Sequence, residues 1–359
     1  MALHVRGVLL PDDEVRDLWL DGDRVTFDPI RDAETVSTTG FILPGLVDAH
    51  CHIGIRPGGG PIGEVNEAKE LAAIDRAAGT LAIRDAGSPF RYPQLDDDPD
   101  VPRLARAGRH VAPVRRYLKE IGVEVADDDL PATVAEQAKQ GNGWVKLVGD
   151  WIDRGVGDLA PGFDPARVAE AVEVAHAAGA RVAVHTFSEE AVATFVRAGV
   201  DSVEHGTGLS LDLIDDMARR GTTLTPTMIN IQRFDAIAAQ AQEKFPGYAA
   251  HMRALRAGFP AVVRAAYEAG VPIYVGSDAG GGIAHGMAAR EMLLLHELAG
   301  MAALDVLRAG SWGAREWLGF SGLVEGGLAD LVVYDRDPRV DLAALLEPGL
   351  IVLRGRVVA

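Results

Sequence analysis

Two histidines one residue apart close an apolar run, Pro44-Gly45-Leu46-Val47-Asp48-Ala49-His50-Cys51-His52. In an extended strand, residues i and i+2 point to the same side, so His50 and His52 can hold one metal ion while Cys51 faces away. A pair spaced this way is more often part of a polar strand face, so a metal reading depends on ligands from other strands. Later segments offer them. His185 ends Val182-Ala183-Val184-His185, His205 ends Val203-Glu204-His205, and Asp278 follows Gly276-Ser277. Taken singly, each could be a hydrogen-bonded core residue. Taken together, four imidazoles and a carboxylate at strand ends form the ligand set that zinc-like ions prefer. Lys146 belongs with them, because in Gly143-Trp144-Val145-Lys146-Leu147-Val148-Gly149 it lies in a strand that reads as buried. An ammonium there is costly unless it is paired or chemically altered.

The elements that must position these residues can be read from hydrophobic periodicity. Short apolar, β-branched runs predict strands at 42–49, 81–86, 110–114, 144–149, 181–186, 201–205, 222–226 and 272–277. Between them, Ala-rich segments of helical period predict helices at 64–79, 131–140, 165–179, 188–199 and 210–220, most of them stopped by Gly. Eight alternating units imply an α/β fold, a (β/α)8 TIM barrel over 42–319, whose active site lies at the C-terminal ends of the strands. The flanks lack long helices. Residues 1–41 and 320–359 are expected to combine into one small composite β-sandwich domain, since neither has enough apolar residues for its own core. The long connection from Met228 to about Gly270 reads either as a lid or as an extra helix pair.

Composition narrows the partners. The 359 residues carry a net charge of -17, which argues against nucleic acid or an anionic membrane. No apolar stretch approaches the roughly 20 residues of a membrane helix. Cys51 is the only cysteine, so no intrachain disulfide forms, and the first residues lack a signal-peptide pattern. A cytoplasmic protein acting on a small molecule is expected, with a homo-oligomer compatible with the sequence.

The motif set resembles the amidohydrolase superfamily, specifically its imidazolonepropionase-like and Xaa-Pro-dipeptidase-like branch. The resemblance spans nearly the whole chain. It rests on the His50-Cys51-His52 run, Val145-Lys146-Leu147, Val184-His185, Val203-Glu204-His205-Gly206, Thr225-Pro226-Thr227, Gly276-Ser277-Asp278-Ala279-Gly280 and the closing Gly326-Gly327-Leu328-Ala329-Asp330-Leu331. It implies two divalent metal ions, with zinc expected, bridged by a carboxylated Lys146. His50, His52 and Asp278 would serve one ion, His185 and His205 the other. Carboxylation would turn a buried cation into an anionic oxygen ligand. A hydroxide shared by the ions would attack an amide-type C–N bond, with Asp278 as the catalytic proton acceptor and donor.

Substrate contacts are expected from Arg84, Arg116, Tyr117, Trp151, Thr227, Asn230 and His285, although Arg84-Asp85 also reads as an internal ion pair and Arg115-Arg116 as a solvated charge run. His110 is placed at the start of its strand, the wrong end for the site. Related deaminases carry Glu three positions after the strand-five histidine, where this chain has Ser188. Deamination is therefore disfavoured. The leading expectation is hydrolysis of a cyclic amide, an N-acyl amino acid or a dipeptide at a binuclear centre. The alternatives are a mononuclear imidazolonepropionase-like hydrolase with a structural Lys146, and a non-catalytic metal-binding barrel.

Overall fold

The computed structural model describes residues 1–359. Its parallel part contains two sheets. In one, Leu46–Cys51, Thr80–Asp85 and Arg103–Arg106 lie side by side. In the other, the order is Val123–Val125, His110–Pro113, Trp144–Val148, Arg181–Thr186, Ser202–His205 and Thr223–Thr225, every neighbour parallel. The segment 272–279 touches both sheets. Tyr274 N donates to Leu224 O (3.0 Å) on one side, and Ala49 N donates to Val275 O (2.7 Å) on the other. Only isolated bridges form there, so the strand expected at 272–277 is extended backbone with sparse pairing. This is a TIM-barrel-type α/β fold with an additional β-region. Its main core is a cluster of 63 buried residues between sheets and helices.

The expected helices form as Val65–Ala77, Leu130–Gln140, Pro165–Ala177, Glu189–Ala198 and Leu211–Arg220. Local chemistry sets their ends. Asp164 accepts from Ala166 N and Arg167 N, the Ser188 hydroxyl accepts from Ala191 N, and Gly199 and Gly221 stop their helices in the left-handed region. The insertion is helical: Met228–Ile231, Phe234–Ala241 and Pro246–Glu268. None of the helices is long and apolar enough to cross a membrane.

One sequence expectation needs correction. The strand expected at 42–49 is two strands, Phe41–Pro44 and Leu46–Cys51, in different sheets. Gly45 is the joint, since a Cβ there would stand 2.4 Å from the Leu81 Cβ. The two termini do come together through backbone pairing. Leu3–Leu9, Glu14–Asp21, Arg24–Thr26, Glu34–Ser37 and Phe41–Pro44 join Leu331–Tyr334, Leu350–Leu353 and Arg356–Val357 in one eight-stranded sheet. The reason is edge pairing: Leu331–Tyr334 runs antiparallel along Phe41–Pro44, with Leu331 opposite Pro44, so the C-terminal strands extend the N-terminal sheet. Alternation buries Leu3, Val5 and Leu9 with Leu18, Leu20, Ile42 and Val333 in a cluster of 12 residues.

Candidate functional site

His50 and His52 stand at the end of Leu46–Cys51, a strand buried along its whole length. Its register is tied to the 272–279 segment. The Asp48 carboxylate accepts from the backbone N–H of both His50 (3.1 Å) and Ser277 (3.0 Å), and Asp278 N donates to His50 O (2.7 Å). Burial, then the nearby Asp75, pushes the Asp48 carboxyl up to about 7. Asp278 has φ +59°, His205 +64° and Thr227 +50°, a left-handed backbone that is uncommon for these residues and is an outlier for β-branched Thr. All three lie at strand ends around the same centre.

That centre is dense in ligand atoms. The Asp278 Oδ1 lies 3.2 Å from His50 Nε2 and 3.1 Å from His52 Nε2, and Asn230 Nδ2 donates to Oδ2 at 2.7 Å. Burial alone would push the Asp278 carboxyl up, but the imidazoles of His50, His52 and His205 outweigh it and hold it well below the usual range. The far nitrogens of these rings are committed. His50 Nδ1 faces the Glu204 carboxylate at 2.6 Å, and His52 Nδ1 faces the Gly87 carbonyl at 2.9 Å. Both partners can only accept while Glu204 is ionised, so Nδ1 carries the hydrogen and Nε2 keeps its lone pair for the centre. Burial opposes ionisation of Glu204, but Arg84, Lys146 and His50 overcome it.

On the other side, His205 Nδ1 is bonded to the Thr227 hydroxyl at 2.7 Å, and its ring packs 4.7 Å from that of His185. His185 Nε2 is buried with no hydrogen-bond partner, and its nearest carboxylate oxygen, on Asp150, is 3.7 Å away. Burial lowers the pKa of both histidines, His205 to about 3, so they are neutral at physiological pH, the form that ligates metals. Lys146 Nζ lies 3.5 Å from His50 Nε2 and has no carboxylate partner. Burial, helped by Arg84 and opposed by Glu204 and Asp278, brings its ammonium down to about 8. Orphaned imidazole nitrogen, neutral rings and an amine close to losing its proton together suit divalent cations. One consequence is testable on chelator-treated protein. The folded lysine releases its proton near pH 8 and an unfolded one near 10.5, so between those values the unfolded chain binds more protons and stability rises with pH. The Lys146→Met variant should lack that rise, which is at most about 1.4 kcal/mol per pH unit, in urea unfolding at stepped pH.

The centre opens into a cavity of about 440 Å³, whose walls include Tyr117, Trp151 and Asn230. Four expected substrate contacts are absent from its lining. Arg84 is fully buried, donates to Glu204 Oε1 (2.6 Å) and Ala49 O (2.5 Å), and pairs with Glu204 rather than with Asp85. Arg116 spends its donors on the carbonyls of Trp151, Ala160 and Pro161, bracing the hairpin Asp150–Asp153/Asp158–Pro161. His285 turns away to Asp75 (2.8 Å), beside Cys51 (3.7 Å). Thr227 acts one step back, through His205.

Other residues of the site escaped sequence reasoning. His110 lines the cavity with both ring nitrogens buried and unpartnered, 5.1 Å from the His52 ring. The error lay in a strand boundary: the third strand region begins at Arg103, pairs with Thr80–Asp85 over Arg103–Arg106, and only then reaches His110 at its distal part. Phe187 follows His185 at the strand end, while Arg233, Ile237, Gln240, Tyr248 and Met252 come from the helical insertion, which therefore roofs the cavity. Periodicity marks such residues as helical but cannot say what they cover. At the position that carries Glu in related deaminases, Ser188 caps a helix, and the exposed Glu189 bonds His251 at 3.2 Å.

Comparison with known proteins agrees with this architecture. The chain is 49% identical over 357 residues to uncharacterised proteins of Mycobacterium tuberculosis and Mycobacterium bovis, covering 99% of this chain and 95% of each relative. Among solved structures, its fold is similar to that of a Xaa-Pro dipeptidase with bound methionine in the active site (TM-score 0.81, 24% identity, 99% of both chains). It is also similar to a putative prolidase from Bifidobacterium longum (TM-score 0.83, 23% identity, 99% of this chain and 94% of that one). The amidohydrolase family model matches residues 41–358, and the chain belongs to that family.

Proposed function

We propose that this protein is a metal-dependent hydrolase that cleaves an amide-type C–N bond of a small substrate at a binuclear centre. The observation that carries the reading is the set of imidazoles whose Nδ1 atoms are held by Glu204, Gly87 and Thr227 while the Nε2 atoms of His50 and His52 converge on Asp278. His50, His52 and Asp278 would hold one ion, His185 and His205 the other, and carboxylated Lys146 would bridge them. Zinc suits this nitrogen and oxygen donor set. When bound, the ions would acidify a shared water and polarise the scissile carbonyl. The protein's own groups do the rest. Asp278, held ionised beside these imidazoles and bonded by the Asn230 amide, accepts a proton from the water and delivers it to the leaving nitrogen. Neutral His110 has a free N–H to place against the carbonyl oxygen as negative charge builds on it. Tyr117 and Trp151 wall off the centre and limit water.

The strands with their helices are read as a closed (β/α)8 barrel over 42–319, with 1–41 and 320–359 forming the small domain. The parallel hydrogen bonds on both sides of segment 272–279 support closure. The substrate class is cyclic amides, N-acyl amino acids or dipeptides, acted on in the cytoplasm. The Xaa-Pro dipeptidase and prolidase likeness supports the last two.

Metal analysis tests the proposal. Protein reconstituted with zinc should carry about two ions per chain, falling to about one or fewer in Lys146→Ala, with loss of amide hydrolysis across a dipeptide and cyclic-amide panel. One ion, unaffected by Lys146→Ala, would favour a mononuclear centre with a structural lysine. That second reading has support of its own, since His50, His52 and Asp278 alone form a compact three-ligand group around this centre.

A further inference from the structure

At the solvent-exposed rim of the cavity stands a charge for which the hydrolytic chemistry has no use. Arg233 lies between helices Met228–Ile231 and Phe234–Ala241 and faces the cavity. Its guanidinium enters no ion pair, whereas two other insertion arginines are occupied: Arg253 with Gln242 (2.6 Å) and Arg256 with Asp235 (3.0 Å). The only carboxylate lining the cavity, Asp278, is already taken by His50, His52 and Asn230.

A glycine makes the seat for this cation. A Cβ added to Gly282 would fall 1.8 Å from Arg233 Nη1 and 2.3 Å from Cζ, so the guanidinium rests against bare backbone, and any side chain at 282 would displace it. The loop beneath is short and braced. Gly280 N donates to Ile283 O (3.0 Å), and Gly58 N donates to Gly281 O (2.7 Å). Four residue steps separate Asp278 from Gly282, a span of at most roughly 14 Å, so the cation stands within reach of a dipeptide-sized ligand held at the histidines. Ile237, one helical turn beyond Arg233, lies on the same helix face and also lines the cavity, as do Phe187, Tyr248 and Met252. A cation and an apolar wall are thus presented side by side.

We infer that Arg233 determines specificity, binding a free carboxylate of the substrate beside an apolar side chain packed on Ile237, Phe187, Tyr248 and Met252. The substrate class is then N-acyl amino acids and dipeptides with an apolar C-terminal residue, in preference to neutral cyclic amides. A guanidinium suits this role because its planar fork matches a carboxylate. The inference rests on the hydrolytic reading above, so its test has two readouts. In zinc-loaded protein, kcat/KM for deacetylation of N-acetyl-L-phenylalanine should exceed that for its C-terminal amide by about 10- to 100-fold. Arg233→Gln should erase that preference mainly through KM, Arg233→Lys should restore part of it, and Gly282→Ala should mimic Arg233→Gln. If neither compound is hydrolysed, the hydrolytic reading loses support, and calorimetric binding of the same acid and amide still decides the role of Arg233. An acid-to-amide ratio equal in wild type and Arg233→Gln, by turnover or by binding, overturns it.

Discussion

Asp278→Asn is expected to lower kcat on any amide substrate of the metal-loaded protein by about 10²- to 10⁴-fold, the range that one positioned proton-transfer group contributes. The carboxylate meets the requirements for that role. It sits at a strand end with φ +59°, its backbone N–H is anchored on His50 O, and it is held well below the usual carboxylate range, so it is ionised and able to accept a proton at neutral pH. Asparagine keeps the shape but not the basicity. Its NH₂, turned toward Asn230 Nδ2, would meet a donor where an acceptor is now required, and a neutral amide would replace the anionic oxygen that faces His50 and His52. Metal content and circular dichroism measured on the same preparation separate loss of the base from loss of a ligand. A variant as active as wild type would sink the assigned role.

Glu204→Ala is expected to cost about 3–5 kcal/mol of stability, read as a fall in the urea midpoint, because it leaves Arg84 as an uncompensated buried charge. Both side chains are completely buried, 2.6 Å apart, and the Arg84 guanidinium is stacked 4.5 Å from the Trp144 ring centre. The double variant Arg84→Met/Glu204→Gln should recover a large part of the loss, since removing both charges also removes their desolvation penalty. The pH dependence has a definite sign. The folded carboxyl ionises well below its ordinary value, so its contribution is complete above about pH 4.3 and is lost as the pH falls through the folded value. Glu204→Ala should therefore lose its deficit relative to wild type in acid. A constant difference from pH 7 to pH 3 would contradict the assignment.

The fold was legible where periodicity is local. The helix at 165–179 was visible from its apolar spacing and its Gly stop, and it forms as Pro165–Ala177 behind the Asp164 cap. The strand at 110–114 was visible too, but its partner stretch Arg103–Arg106 was not, because Arg-Leu-Ala-Arg does not have the look of a strand in isolation. Both arginines are buried there only because Asp330 and Asp96, from elsewhere in the chain, neutralise them. That one omission displaced His110 from the site. Arg84 failed in the opposite direction: a strand-end arginine looks like a substrate anchor until its partner, 120 positions later, is known.

The sequence by itself determined the identity and order of the residues proposed as donors, His50, His52, Lys146, His185, His205 and Asp278, because their placement in and after short strands follows from short-range patterns of apolar and polar residues. It likewise determined that Cys51 has no partner for an intrachain disulfide. Tertiary structure decided which nitrogen of each imidazole is free, which arginine is spent on the interior and which is left to meet a ligand, and that the helical insertion roofs the cavity. The physical reason is distance along the chain. Hydrogen-bond partners 154 positions apart, as for His50 and Glu204, or 226 apart, as for His52 and Asp278, are set by how the sheets and helices pack, and no local pattern encodes them.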